Sequence, residues 1–106
     1  MPQIVVQVLT SLPRSLRDTI NRDDKLENFN LRVEYKKAAR SNGWSKLHST
    51  RGGHGAINVH WEGAAKMLIC RVVTRGGKPD LIIADFIHYL LARYGKKIES
   101  INIIPR

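Results

Sequence analysis

The chain has 106 residues, of which 42% are hydrophobic and 25% charged, a balance typical of a folded domain rather than a disordered segment. Eighteen Lys and Arg side chains against nine Asp and Glu give a formal net charge of +9 at pH 7. The length fits one domain spanning residues 1–106. The excess of positive charge is typical of proteins that bind nucleic acid.

Cysteine content and hydropathy indicate the compartment. The lone Cys70 excludes an internal disulfide, and the amino terminus lacks the basic leader and long apolar run of a signal peptide. The longest apolar stretch, residues 81–92, is too short to span a bilayer and is interrupted by Asp85 and His88. We therefore expect a cytoplasmic protein that does not enter membranes.

The positive charge is unevenly distributed along the chain. Residues 1–30 carry four basic and four acidic side chains, so this third is neutral. Residues 31–55 carry six basic side chains against the single acid Glu34. This imbalance predicts a basic patch in the middle of the chain.

The first third predicts a strand followed by a helix. Residues 3–9 are rich in Val and Ile and alternate in polarity, which is typical of a strand. Pro13 suits the first turn of a helix whose apolar side chains, Leu12, Leu16 and Ile20, recur every four residues.

Residues 28–40 allow two interpretations. A strand is indicated by large apolar side chains that alternate with polar ones, at Phe29, Leu31, Val33 and Tyr35. A helix would instead place Leu31 and Tyr35 on one side together with two alanines. We favour the strand, because four alternating large side chains do not fit one helical face. The following glycine-rich segment is either a long loop or a short strand over residues 45–50.

The second half predicts a hairpin, a helix and a last strand. Residues 56–62 alternate strictly and residues 66–74 are apolar on both faces except at Arg71, so they form a hairpin with one central strand. A helix extends from Pro79 to Gly95, with Asp85 and His88 expected to form an exposed pair. Residues 97–106 form the last strand.

This order of elements predicts an α+β fold. We expect a ferredoxin-like two-layer α/β sandwich, with a mixed or antiparallel sheet of four to five strands, two main helices and a basic loop insertion.

Two Thr-Arg-Gly-Gly corners, residues 50–53 and 74–77, flank the predicted hairpin at the same end. Consecutive glycines let backbone N–H groups approach an anion, and a neighbouring arginine supplies a forked charge. A composite phosphate site of Arg51, Arg75 and Lys78 is one interpretation, and ordinary turns are the other.

A basic segment with an indole inside it precedes the hairpin. Such a segment can neutralise phosphates and stack a base, although Trp44 taken alone is better explained as a buried anchor that packs the loop onto the sheet. The predicted nucleic-acid-binding residues are Lys36, Lys37, Arg40, Trp44, Lys46, Arg51, Arg75 and Lys78.

Histidines suggest a second hypothesis, a metal-independent, toxin-like endoribonuclease using His54 and His60 as general base and acid. Residues 43–44 and 52–54 resemble a short part of the HicA-type mRNA interferase toxins. The toxins' serine is absent here and the spacing differs, so we assign no family. The His and Cys spacing matches no zinc pattern, and we predict neither metal nor cofactor.

A third hypothesis is a homo-oligomeric interaction module. Its predicted edge strands, residues 3–9 and 98–104, could pair with a second copy to form a homodimer. Nucleic-acid binding, mainly through phosphate contacts, remains the interpretation that the charge favours.

Overall fold

The computed structural model describes residues 4–34, 44–51, 55–74 and 79–105. Its strands are β1 (Ile4–Thr10), β2 (Leu31–Val33), β3 (Ser45–Ser49), β4 (Ala56–Glu62), β5 (Met67–Val73) and β6 (Ile98–Ile104). Its helices are α1 (Leu16–Asn21) and α2 (Pro79–Tyr94), with 3-10 turns at Asp24–Phe29 and Gly95–Lys97. None of the helices in these ranges has the length and apolar character needed to cross a membrane.

The six strands form one sheet in the order β2-β3-β4-β5-β1-β6, and every neighbouring pair is antiparallel. The α+β class is therefore confirmed. The expected count of four to five strands is wrong, because the sheet has six. β2 lies where we predicted a strand, and β3 lies where we expected the basic loop insertion. Of the two main helices expected, only α2 is long; α1 has six residues.

Both helices pack on the same face of the sheet. Alternate strand side chains point to one face, and these are the buried ones, such as Val6 and Val8 in β1 and Leu68 and Val72 in β5. They form a single hydrophobic core with Leu16, Ile20, Leu26, Ile82, Phe86, Tyr89 and Leu90 of the helices and turns. We call this side of the sheet the helical face and the opposite side the open face.

Helix α1 begins at Leu16 rather than at Pro13, which corrects the prediction. Ser15 caps it, since its hydroxyl accepts a hydrogen bond from the Asp18 N–H at 3.2 Å. This cap satisfies an amide of the first turn that has no partner within the helix. At the other end of the helix, the Asn21 amide donates to the buried Ser45 hydroxyl at 2.7 Å and so joins α1 to β3.

In the ambiguous segment the structure has a strand at Leu31–Val33, whereas Phe29, which the alternation placed in the strand, lies in the 3-10 turn. The 3-10 turn ends at Asn30, whose left-handed φ of 65° redirects the chain into β2. Leu31 and Val33 are buried and Arg32 between them is exposed. Residues 35–43 lie outside the described part of the chain.

Asp85 of α2 is buried, with 7% of its surface exposed, and the exposed pair expected with His88 is wrong. The Asp85 carboxylate instead accepts a hydrogen bond from Arg51 at 2.9 Å. The His88 ring packs edge-on against Phe29, with ring centroids 5.0 Å apart. Residues three apart on a helix can contact each other, but here Asp85 and His88 each contact a residue from another part of the chain instead.

Candidate nucleic-acid interface

The register of the sheet brings distant parts of the chain into one row on the open face. Lys46 of β3 lies opposite Asn58 of β4, which lies opposite Arg71 of β5. Val5 of β1 continues the row beyond Arg71. Since neighbouring strands are about 4.8 Å apart, the Cα atoms of Lys46 and Arg71 are roughly 10 Å apart.

Trp44, immediately before β3, packs across this row. Its ring lies 5.0 Å from that of His60, with an interplanar angle of 31°, and the guanidinium carbon of Arg71 lies 4.8 Å from the indole centroid. The second contact is a cation–π interaction, which fixes both side chains. Trp44 is half-buried, and it anchors polar groups on the open face rather than the hydrophobic core.

The two cations in this row, Lys46 and Arg71, form no ion pair among the residues that the structure describes. Arg71 is also exposed. The nearby acid Glu34 instead pairs with His48, with 3.0 Å between its Oε2 and the imidazole Nε2. The row therefore holds one ammonium group, of Lys46, and one guanidinium group, of Arg71, near the indole of Trp44.

Arg51, by contrast, contacts the helical layer. Its guanidinium pairs with Asp85 at 2.9 Å, and the Asn30 side chain contacts the same pair. The second carboxylate oxygen of Asp85 is buried without a hydrogen-bond partner among the described residues. This geometry favours a structural role for Arg51 and leaves its contact with nucleic acid a prediction.

The other predicted site residues, Lys36, Lys37, Arg40, His54, Arg75 and Lys78, lie outside the described residues. The start of β4 and the end of β5, which adjoin the two glycine corners in sequence, lie side by side, since Ala56 pairs with Val73. Gly55, next to the first corner, has a φ of 95° and packs against the Val73 carbonyl and Thr74, where no side chain would fit. The described residues beside the two corners, Gly55 and Thr74, are therefore in contact, while the corners' own glycines lie outside the described residues and the phosphate site stays a prediction.

The sequence analysis missed Arg71 as a site residue. The signal was present, because Arg71 is the one charged side chain in an otherwise apolar strand. Side chains alternate between the two faces of a strand, and the neighbours Cys70 and Val72 are buried under the helices. Arg71 therefore points to the open face. Asn58 was not predicted for the site either, although the alternation in residues 56–62 places it on the same face as His60.

Of the two histidines in the ribonuclease hypothesis, only His60 lies in the described residues. His60 packs against Trp44, and His54 lies outside the described ranges. The hypothesis therefore stays a prediction. Within those ranges no three His, Cys, Asp or Glu side chains cluster in a way that could hold a metal ion. The Cys70 thiol is fully buried, and this burial raises its pKa, so it is not a nucleophile at neutral pH.

A second polar cluster lies in the helical layer. The Asp23 carboxylate, 4% exposed, accepts hydrogen bonds from the hydroxyls of Tyr89 at 2.8 Å and Tyr94 at 2.9 Å, and from Arg93 Nε at 3.0 Å. Burial by itself would raise the pKa of Asp23, but these donors and the Lys25 N–H outweigh it and lower the pKa to about 2. The cluster joins the segment after α1 to the end of α2.

Comparison of the chain with protein-family models, curated proteins and solved structures gives no match in any of the three.

Proposed function

We propose that this protein binds nucleic acid through the open face, between β3 and β5. The observation that carries the proposal is the arrangement of Trp44 against Arg71, with Lys46 in the same row and no acid paired to either cation in the described ranges. An aromatic ring beside cations on a flat surface can contact bases and phosphates together. The net charge of +9 supports the same ligand class by attracting polyanions at a distance.

The strand order supports a ferredoxin-like interpretation of the fold. Strands β4, β5, β1 and β6 are adjacent in the sheet, α1 follows β1, and α2 connects β5 to β6. In this interpretation β2 and β3 are an addition inserted after α1 that widens the sheet beside β4. The insertion supplies Trp44 and Lys46, so the added strands carry half of the proposed interface.

Because most contacts would be to phosphates, we expect modest sequence specificity and a steep dependence on salt. The ligand we propose is RNA or DNA in the cytoplasm, since the one cysteine is buried and requires no oxidising compartment.

Fluorescence anisotropy with a labelled RNA, repeated over a range of salt concentrations, tests the proposal. The double variant Lys46→Ala/Arg71→Ala should weaken binding by about tenfold or more and lower the salt slope by about 1.4, the value for two phosphate contacts to a single strand. The control is Lys96→Ala/Lys97→Ala, which removes the same charge from exposed side chains in the 3-10 turn after α2. Equal losses in the two variants would reduce the interface to general charge, and no binding by the wild-type protein would refute it.

One observation favours a second candidate, a homodimer that pairs through β6. Ile103 is 47% exposed and Ile104 is 38% exposed on this strand, and among the described strands none pairs with its outer edge. Light scattering should then give twice the mass of one chain, and Ile103→Lys should restore the monomer. A monomeric wild-type protein at high concentration would exclude this pairing.

A further inference from the structure

We infer that the ligand is single-stranded, and that Trp44 stacks one of its bases. The inference rests on the proposed function and specifies its ligand.

The Trp44 ring is held in place before any ligand binds. The His60 imidazole lies 5.0 Å from it, tilted by 31°, and the Arg71 guanidinium lies over it at 4.8 Å. Two contacts of this kind limit rotation of the indole, so a base that stacks on its accessible surface pays little additional entropy. Trp44 is half-buried as a residue, so it is not enclosed in the core.

Amide side chains lie on the same open face as this ring. Asn58 lies between Lys46 and Arg71 in one row, and in the next row Gln7 lies opposite Asn102. Amides both donate and accept hydrogen bonds, as base edges do, whereas phosphates only accept. The open face therefore combines groups for bases with groups for phosphates.

The apolar neighbours of these amides suit unpaired bases as well. Ile69 lies between His60 and Gln7 in the register, and Val5 lies beside Arg71. Both are only partly buried. Apolar side chains at these points contact the flat faces of bases, which a duplex keeps stacked on one another.

The shape of the sheet disfavours a duplex. Six strands spaced about 4.8 Å apart make a surface roughly 24 Å wide, about twice the width of the major groove of B-form DNA. Such a surface can touch the phosphates of a duplex but cannot reach its base edges. Trp44 and the amides would then be unused, whereas a single strand engages all of them.

A single-tryptophan variant provides a direct readout. Trp61 lies two residues after the buried Val59, on the same side of β4, and packs against the hydrophobic core. It therefore points to the helical face, away from the site. In Trp61→Phe, Trp44 is the one remaining tryptophan. Titration with an unlabelled single-stranded RNA of about 12 nucleotides should quench its fluorescence, with the same midpoint as anisotropy gives for the labelled RNA. The same strand annealed to its complement should bind about tenfold more weakly and quench little.

Removal of the ring gives the matching loss. Trp44→Ala should lower affinity for the single strand roughly tenfold, while Trp44→Phe, which retains an aromatic face, should keep most of it. Circular dichroism verifies that both variants are folded.

Binding without quenching, together with equal affinity for the duplex, would overturn the inference and leave the proposed nucleic-acid binding intact. Absence of binding to either probe would overturn both. Quenching with an undiminished affinity in Trp44→Ala would mean that the ring reports on the ligand without holding it, and this also contradicts the inference.

Discussion

The two faces of the sheet use their arginines differently. On the helical face, Arg93 pairs with Asp23 and Arg51 pairs with Asp85, two carboxylates that are almost entirely buried. On the open face, Arg71 lies over an indole and forms no ion pair within the described ranges. The first two arginines compensate buried negative charge, whereas the third keeps its charge accessible to a ligand.

This difference separates stability from binding. An arginine that compensates a buried carboxylate contributes to folding, and its loss exposes the cost of an unpaired charge. An exposed arginine without an acid contributes little to folding, and its charge attracts anions. Net charge alone, which counts all three equally, hides the distinction.

The largest expected effect is on the helical face. Asp23→Ala removes the acceptor of two tyrosine hydroxyls and the partner of Arg93, so the free energy of unfolding should fall by about 3 kcal/mol. Urea denaturation followed by circular dichroism measures it. The neighbouring exposed acid is the control, and Asp24→Ala should change stability by less than about 0.5 kcal/mol. A similar loss in both variants would show that the cluster is not what holds this segment.

A substitution at Gly55 tests the close packing of the backbone before β4 against the end of β5. Gly55→Ala places a methyl group against the Val73 carbonyl at a φ of 95°, and the free energy of unfolding should fall by about 2 kcal/mol. Gly95→Ala is the matched control, since no heavy atom lies within 4 Å of the added carbon. RNA binding measured well below the melting temperature should be retained, because no charge is removed. An unchanged melting temperature in Gly55→Ala would contradict the close packing of this corner.

Acid should weaken the helical face in a defined range. The pKa of Asp23 is lowered from 3.8 to about 2, so its carboxylate stabilises the folded state above pH 4 and this stabilisation is lost as the pH falls toward 2. With allowance for solvent screening, the loss amounts to about 1.5 kcal/mol. Denaturation at several pH values measures it, and in Asp23→Asn this part of the acid sensitivity should disappear. If Asp23→Asn retained the full acid sensitivity, other carboxylates would be responsible.

The smallest effects compare the two kinds of arginine directly. Arg71→Gln should weaken RNA binding by about fivefold, about 1 kcal/mol, and leave stability unchanged. Arg51→Gln should do the reverse, with affinity unchanged and a stability loss of about 1 kcal/mol, since its partner Asp85 is buried and Arg51 itself is half-exposed. Anisotropy and urea denaturation on the same samples give both values. A loss of affinity in Arg51→Gln equal to that in Arg71→Gln would return Arg51 to the interface and remove the contrast.

Local patterns predicted most of the secondary structure. The alternation in residues 56–62 and the capped helix of residues 79–94 depend on neighbours within a few positions, and both were predicted within one or two residues. β2 was harder to predict, because only Leu31 and Val33 are buried in its three residues. Its ends are set by Asn30 and by pairing with β3, which sequence periodicity does not report.

The site was less predictable than the fold, because its members meet through strand pairing. Trp44 and Lys46 were identified from local charge and aromaticity, whereas Arg71 joins them only through the register of β3, β4 and β5. Conversely, Arg51 has the same local signature as a ligand-binding arginine. Its pairing with Asp85, 34 residues further along the chain, could not be read from that signature.

The position of β1 determines when the sheet can be completed. The first strand lies between β5 and β6, the last two, and Val6 pairs with both Cys70 and Ile103. Residue 104 must leave the ribosome before β1 can have both neighbours, so β1 of a nascent chain stays unpaired until β5 and β6 have been made. Pairing between strands so far apart in sequence slows folding, and until it is complete the free edges of β1 can pair with other chains.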